Sequence, residues 1–241
     1  MNMSRAFAAA KTARYSRHAM DLSRIATWIF DLDNTLYPAS ANLFLQIDER
    51  MGAYIAELLG CDAVEARRVQ KHYFHEHGST LRGLMDHHDV DPHHFLGYVH
   101  DIGMDVLAHD ARVIDGIARL PGRKLLFTNG DAPYAGRVLE HLGLADAFEA
   151  IHDIHATDYI PKPDPRAYDG LCAAYDIDPK TALFVEDQAR NLRPAKAIGM
   201  TTVWVNNGSE RGGHDACASY IDIEIADVGE WLDQLHRELA A

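Results

Sequence analysis

The segment Thr27-Trp28-Ile29-Phe30-Asp31-Leu32-Asp33-Asn34-Thr35 drives an apolar run straight into two carboxylates two positions apart. Burial and mutual repulsion both penalise such a pair, so something must offset the charge. Three further polar groups stand at comparable places: Thr128-Asn129-Gly130 after Leu125-Leu126-Phe127, Lys162 between Pro161 and Pro163, and Glu186-Asp187 after Ala182-Leu183-Phe184-Val185. Each alone reads as an ordinary turn, surface lysine or helix cap. Together they describe phosphoryl-transfer chemistry. A carboxylate, Asp31, attacks phosphorus and splits hydrolysis into two easier steps. A hard cation such as Mg²⁺, held by oxygens of Asp31 and Asp187, offsets the repulsion between nucleophile and phosphate. Lys162 supplies a second positive centre. The Thr128 hydroxyl and the backbone N–H groups of Asn129 and its neighbour donate to phosphoryl oxygens. Asp33 protonates the leaving alkoxide and later takes a proton from water.

These groups must be brought to one place, and the hydropathy pattern indicates how. Short apolar runs at Thr27–Phe30, Lys124–Phe127, Ala150–Ile154, Ala182–Val185 and Thr201–Val205 read as strands covered on both faces. Helical runs alternate with them at Pro133–Leu142, Pro165–Tyr175, Ala189–Ile198 and Val228–Leu239, with Pro near their starts or Gly just past their ends. The β-α-β-α order predicts a parallel, doubly wound α/β sheet with right-handed crossovers. In such a sheet ligands bind beyond the carboxyl ends of the strands, where all the polar groups above fall. More than ninety residues between Phe30 and Lys124 contain no good strand. Helical periodicity at Asn42–Leu59, Ala63–His77, Ser79–His87 and His93–Leu107 predicts an inserted α-helical cap. The expected organisation is a basic N-terminal extension at 1–26, a core at 27–38 and 111–241, and a cap at 39–110.

This constellation resembles the haloacid dehalogenase-like hydrolase superfamily over nearly the whole chain from residue 27. Asp31-Leu32-Asp33-Asn34-Thr35 is similar to its first motif, Thr128-Asn129 to the second, Lys162 to the third and Glu186-Asp187 to the fourth. The resemblance implies a Rossmann-like core with a mobile cap after the first motif. It implies Asp31 as nucleophile, Asp33 as general acid/base and, through its backbone carbonyl, a metal ligand, Asp187 as metal ligand and Glu186 in the metal's outer shell. Dehalogenases of the superfamily lack an acid at the position of Asp33, so a phosphatase is expected. "YFHEHGSTLRGL", Tyr73 to Leu84, and "DNTLYP", Asp33 to Pro38, resemble the pyrimidine 5′-nucleotidase branch, with His77 standing where an aromatic residue is usual. Phe74, His77 and Arg82 are therefore the expected specificity residues of the cap, beside Gly78, where a backbone approaches a ligand closely. Arg82 has a second reading as the partner of an acid on the cap. The expected substrate is a nucleoside 5′-monophosphate. Another small metabolite, of phosphoglycolate or sugar-phosphate type, is the alternative, and a catalytically silent interaction module is disfavoured by four intact motifs.

The bulk properties agree with this class. The 241 residues carry a net charge of −13 and 47% hydrophobic residues, which disfavours a general nucleic-acid or membrane-surface binder and leaves room for one local cationic pocket. Three separated cysteines without a CxxC argue against a disulfide framework and suit a reducing, cytoplasmic setting. No apolar run approaches a membrane span. A monomer or homodimer is expected. The basic first 26 residues read as a loosely ordered extension, with a transit peptide as the other reading. Histidines are frequent in the cap, and His72 and His75 lie one helical turn apart; a structural role is expected in place of a zinc pair.

Overall fold

The computed structural model describes residues 14–15, 22–210 and 212–239. Its strands are β1 (Arg14–Tyr15), β2 (Thr27–Phe30), β3 (Arg123–Phe127), β4 (Ala150–His152), β5 (Ala182–Glu186), β6 (Thr201–Val205) and β7 (Ile223–Ile225). They form one sheet in the order β1-β7-β6-β5-β2-β3-β4. The six strands β2 to β7 run parallel, and β1 adds an antiparallel edge on β7. The α/β architecture read from the sequence is the one observed. β2, which delivers Asp31 and Asp33, is central, between β5 and β3.

The helices are α1 (Leu43–Leu59), α2 (Ala63–Glu76), α3 (Thr80–His88), α4 (Pro92–Val99), α5 (Ala111–Arg119), α6 (Ala132–Leu142), α7 (Pro165–Tyr175), α8 (Ala189–Ala197) and α9 (Val228–Leu239). Alternation along the strands splits the core into two layers, because successive side chains leave a strand on opposite faces. Trp28 and Phe30 of β2 pack with residues of α5, α6 and α9, whereas Ile29 packs with α7 and α8. Helices α1 to α4 follow β2 and pack α1 on α2, α2 on α3 and α1 on α4.

Several boundaries differ from the sequence reading for local reasons. β4 ends at His152 instead of Ile154, because the Asp153 carboxylate turns to the backbone N–H groups of Ala132 and Ala156. The helix expected to run to Leu107 stops at Val99, where the Arg137 guanidinium donates to the His100 carbonyl. α5 and β7 add to the elements expected from the sequence; β7 is three residues long, and Gly116 interrupts the apolar stripe of α5. Leu22 and Ile25 are buried in the core, so the end of the expected extension is part of the packed body. The remainder of that extension, apart from β1, lies outside the described residues. Among the described residues no helix is long and apolar enough to cross a membrane.

Candidate active site

Asp31 stands immediately after β2, its backbone N–H donating to the Val185 carbonyl of β5. The helix-free turn that follows places Thr35 back over it. The Thr35 hydroxyl donates to Asp31 Oδ2 at 3.0 Å and accepts the Asp187 N–H at 3.1 Å. Lys162 arrives from the loop after β4 and is 1% exposed. Its Nζ donates to Asp31 Oδ1 (2.7 Å), Glu186 Oε2 (2.8 Å) and the Phe127 carbonyl (2.8 Å). All three ammonium protons are thereby used, which is what a buried cation requires.

One cation does not balance three carboxylates. Burial and the neighbouring Glu186 push the Asp31 pKa up to about 7, against the pull of Lys162. Burial, Glu186 and Asp31 likewise raise that of Asp187 well above the carboxylate range. Burial disfavours the Lys162 ammonium, yet Asp31 and Glu186 outweigh it and raise its pKa. Asp31, Glu186 and Asp187 each bring a carboxylate oxygen within 4.8 Å of the others. An all-oxygen, anionic, under-neutralised cluster is the donor set a hard divalent cation takes. Among the described residues it is the one such group of three or more potential ligands.

Thr128 and Asn129 follow β3. Thr128 Oγ1 accepts the Gly130 N–H at 3.0 Å, leaving its proton for another acceptor. The Asn129 side chain faces the lysine loop instead: Oδ1 accepts the Lys162 N–H (2.8 Å) and Nδ2 donates to the Lys162 carbonyl (3.2 Å). Asn129 therefore clamps the loop that carries Lys162, and its backbone is what remains for a ligand. Asp33 Oδ1 accepts two phenol hydroxyls, Tyr37 and Tyr134, each at 2.6 Å. Burial raises the Asp33 pKa against those two bonds. Its other oxygen is left for proton transfer.

Helices α1 to α4 roof this cluster over a partly open cavity of about 180 Å³. Asp31, Asp33, Thr128, Asn129, Lys162, Glu186 and Asp187 form its floor, and Phe44, Phe74 and Phe95 are in its walls. Phe74 lies under the Arg190 guanidinium of α8, 4.1 Å from ring centroid to Cζ. His77 and Arg82 do not line the cavity. His77 Nδ1 lies 3.2 Å from Asp86 Oδ2 and Arg82 Nε donates to the same oxygen at 3.1 Å. Ser79 caps α3, and the packing of α3 on α2 sets the helix's rotation. That rotation turns Arg82 to the acid one turn on, and Ser79, Thr80 and Leu81 face the cavity in place of His77 and Arg82.

A family model described as a haloacid dehalogenase-like hydrolase matches residues 25–199. The chain belongs to that family. This haloacid dehalogenase-like hydrolase is 29% identical over 191 residues to phosphate metabolism protein 8 of Saccharomyces cerevisiae, a match covering 72% of the chain and 59% of the yeast protein. It is 23% identical to glyceraldehyde 3-phosphate phosphatase of Pyrococcus furiosus over 90% of the chain and 95% of that protein. A crystal structure of a HAD phosphatase from Thermococcus onnurineus superimposes with a TM-score of 0.59 at 22% identity, covering 89% of this chain and 98% of that one, and so shares the fold.

The sequence reading missed Tyr134, His100, Asp131, Gln188 and Asn191, all in or against the cavity. Asn191, in the first turn of α8 after Glu186-Asp187, has a buried Oδ1 without a hydrogen-bond partner. Its position on the helix that the fourth motif opens was a usable signal. Tyr134 and His100 carried none, since their partners lie far away in sequence.

Proposed function

We propose that this hydrolase is a Mg²⁺-dependent phosphomonoesterase that acts on pyrimidine nucleoside 5′-monophosphates through an aspartyl-phosphate. The observation that carries the reading is the pairing of a lysine-held carboxylate, Asp31, with a second carboxylate, Asp33, that two phenols hold by one oxygen. Asp31, Asp187 and the Asp33 carbonyl are the proposed metal ligands, with Glu186 outside them; the bound ion would supply positive charge beside the transferring phosphoryl group. Asp31 forms the bond to phosphorus as the ester P–O bond breaks. Asp33 gives its proton to the departing alkoxide, and its raised pKa favours the protonated form this step needs. In the second half Asp33 takes a proton from the water that attacks phosphorus, and Asp31 is released. Lys162 fixes Asp31 in place, and the Thr128 hydroxyl and the Asn129 backbone N–H serve as donors to the phosphoryl oxygens.

The aromatic wall of Phe44, Phe74 and Phe95 favours a planar base over a purely polar leaving group. A roofed cavity of about 180 Å³ favours one small monophosphate over a polymer. Phosphate release from a panel of monophosphates, with Mg²⁺ and with EDTA, tests the reading. UMP or CMP should be turned over only with the ion. Turnover confined to glycolate, triose or sugar phosphates would assign the enzyme to small-metabolite phosphatases instead.

A further inference from the structure

His100 has no part in the mechanism above, yet it is built into the cavity wall with unusual care. It is 6% exposed and closes α4 where the chain returns to the core. One face of α6 holds it at three points. Asp131 Oδ1 lies 3.0 Å from its Nδ1, the Tyr134 ring stacks on it with centroids 4.2 Å apart and planes 13° off parallel, and Arg137 donates to its carbonyl. These residues recur every third position, so they share a face of the helix. Tyr134 in turn donates to Asp33. The imidazole is thus fixed one ring away from the carboxyl that serves the leaving oxygen.

The Asp131 carboxylate also fixes the ring's protons. Asp131 Oδ1 also accepts the Tyr134 N–H as the cap of α6, so the same oxygen meets both the helix and the ring. In the neutral imidazole, an acceptor at Nδ1 selects the Nδ1–H tautomer and leaves Nε2 with a lone pair. Nε2 makes no hydrogen bond among the described residues, and the ring lines the cavity. A fixed acceptor beside the acid/base is a recognition group for an O–H donor.

We propose that His100, oriented by Asp131, accepts a hydrogen bond from a hydroxyl of the leaving alcohol one or two carbons from the ester, and so selects phosphate esters of polyhydroxy alcohols. This rests on the phosphomonoesterase reading but not on the pyrimidine base, since a ribose or a glycerol unit carries the same group. A site built to bind a hydroxyl discriminates strongly against an analogue that lacks it, because its own polar group is left unpaired.

The test uses matched pairs, UMP against its 2′,3′-dideoxy analogue and glycerol 3-phosphate against n-propyl phosphate, with p-nitrophenyl phosphate as a third substrate. The wild type should favour the hydroxyl-bearing member of at least one pair by about tenfold or more in kcat/KM. In His100→Asn the amide nitrogen replaces Nδ1 and keeps the Asp131 bond, while nothing replaces Nε2. That preference should collapse to within about threefold, and the loss on hydroxyl-bearing esters should exceed the loss on p-nitrophenyl phosphate at least tenfold. His100→Gln, whose amide reaches the place of Nε2, should restore part of the preference. The proposal is overturned if the wild type shows no preference in either pair, if His100→Asn retains it, or if both variants lose activity equally on every substrate, which would leave His100 a packing residue. A wild type that releases phosphate from nothing overturns the phosphatase reading and this one together; an active wild type with an unselective His100 overturns this one alone.

Discussion

At the scale of single residues, the site is governed by how many charges share one small buried volume. Lys162 is the one buried cation against Asp31, Glu186 and Asp187 among the described residues. Asp31→Asn removes the proposed nucleophile together with part of the repulsion. It is expected to abolish phosphate release while the fold persists, read from turnover and far-UV circular dichroism side by side. A variant keeping a tenth of wild-type turnover would exclude Asp31 as nucleophile. Lys162→Met makes the opposite change and leaves carboxylates without their partner. Breaking a buried pair in this way costs about 3–5 kcal/mol, so Lys162→Met should melt well below Asp31→Asn. The reverse order would mean that protonation of the acids, and not Lys162, relieves the crowding.

His152 on β4 offers a residue-scale prediction away from the chemistry. Both its ring nitrogens are buried without hydrogen-bond partners. Burial lowers its pKa in the folded state against the pull of Asp153. In the unfolded chain the imidazole takes a proton below about pH 6.5. The folded state resists that proton, so stability from this site is complete above that pH and falls as pH drops toward the depressed folded value. The slope approaches about 1.4 kcal/mol per pH unit for one proton. His152→Leu should flatten the denaturation free energy between pH 5 and 7, and at neutral pH should be neutral or stabilising, because it removes unsatisfied polar atoms. An unchanged slope would place the acid sensitivity elsewhere.

At the scale of elements, strand ends were legible and helix faces were not. Runs such as Leu125-Leu126-Phe127 followed by Thr128-Asn129 announce a buried strand and its exit in the residue types themselves. Lys162 could be placed because prolines flank it in a loop after a strand. His77 and Arg82 fell outside the cavity because helix rotation is set by tertiary packing, here of α3 on α2. That packing depends on Gly83: a Cβ there would collide with Tyr73 Cβ and Cγ. Gly83→Ala should therefore cost about 1–3 kcal/mol by overpacking, seen as a lower denaturation midpoint. Tyr73→Gly in the same chain, which removes Cβ and the ring together, should recover part of that loss, since neighbours in contact are not additive. Additive losses would show that the two helices do not meet at this point.

At the scale of the whole molecule, the site exists because two bodies of structure far apart in sequence meet over the sheet. Asp33 and Tyr134 are separated by 101 positions, and no spacing rule joins them. The same holds for the contacts between roof and floor. Arg190 of α8 reaches Phe74 and the Gly78 carbonyl, and Lys71 spans from Asp48 to Glu210. Gln188 connects this seam to the acids: its Nε2 lies 3.2 Å from Asp187 Oδ2 and 3.3 Å from the Glu210 carbonyl. The exposed ion pairs at Glu210 contribute little, since such pairs are worth about 0–1 kcal/mol. Charge at the acidic cluster is the larger lever. The proposed Mg²⁺, bound there, would favour the folded chain by about 2.7 kcal/mol at a hundred times its Kd. In a chain of this size that is a rise of roughly 5–10 °C in midpoint. Asp187→Asn should remove most of the rise and, by lowering the repulsion, melt no lower than the wild type in EDTA. Thermal denaturation of both proteins across a Mg²⁺ series measures the difference. An identical Mg²⁺ response in the variant would take Asp187 out of the coordination shell and move the proposed ion to another part of the cluster.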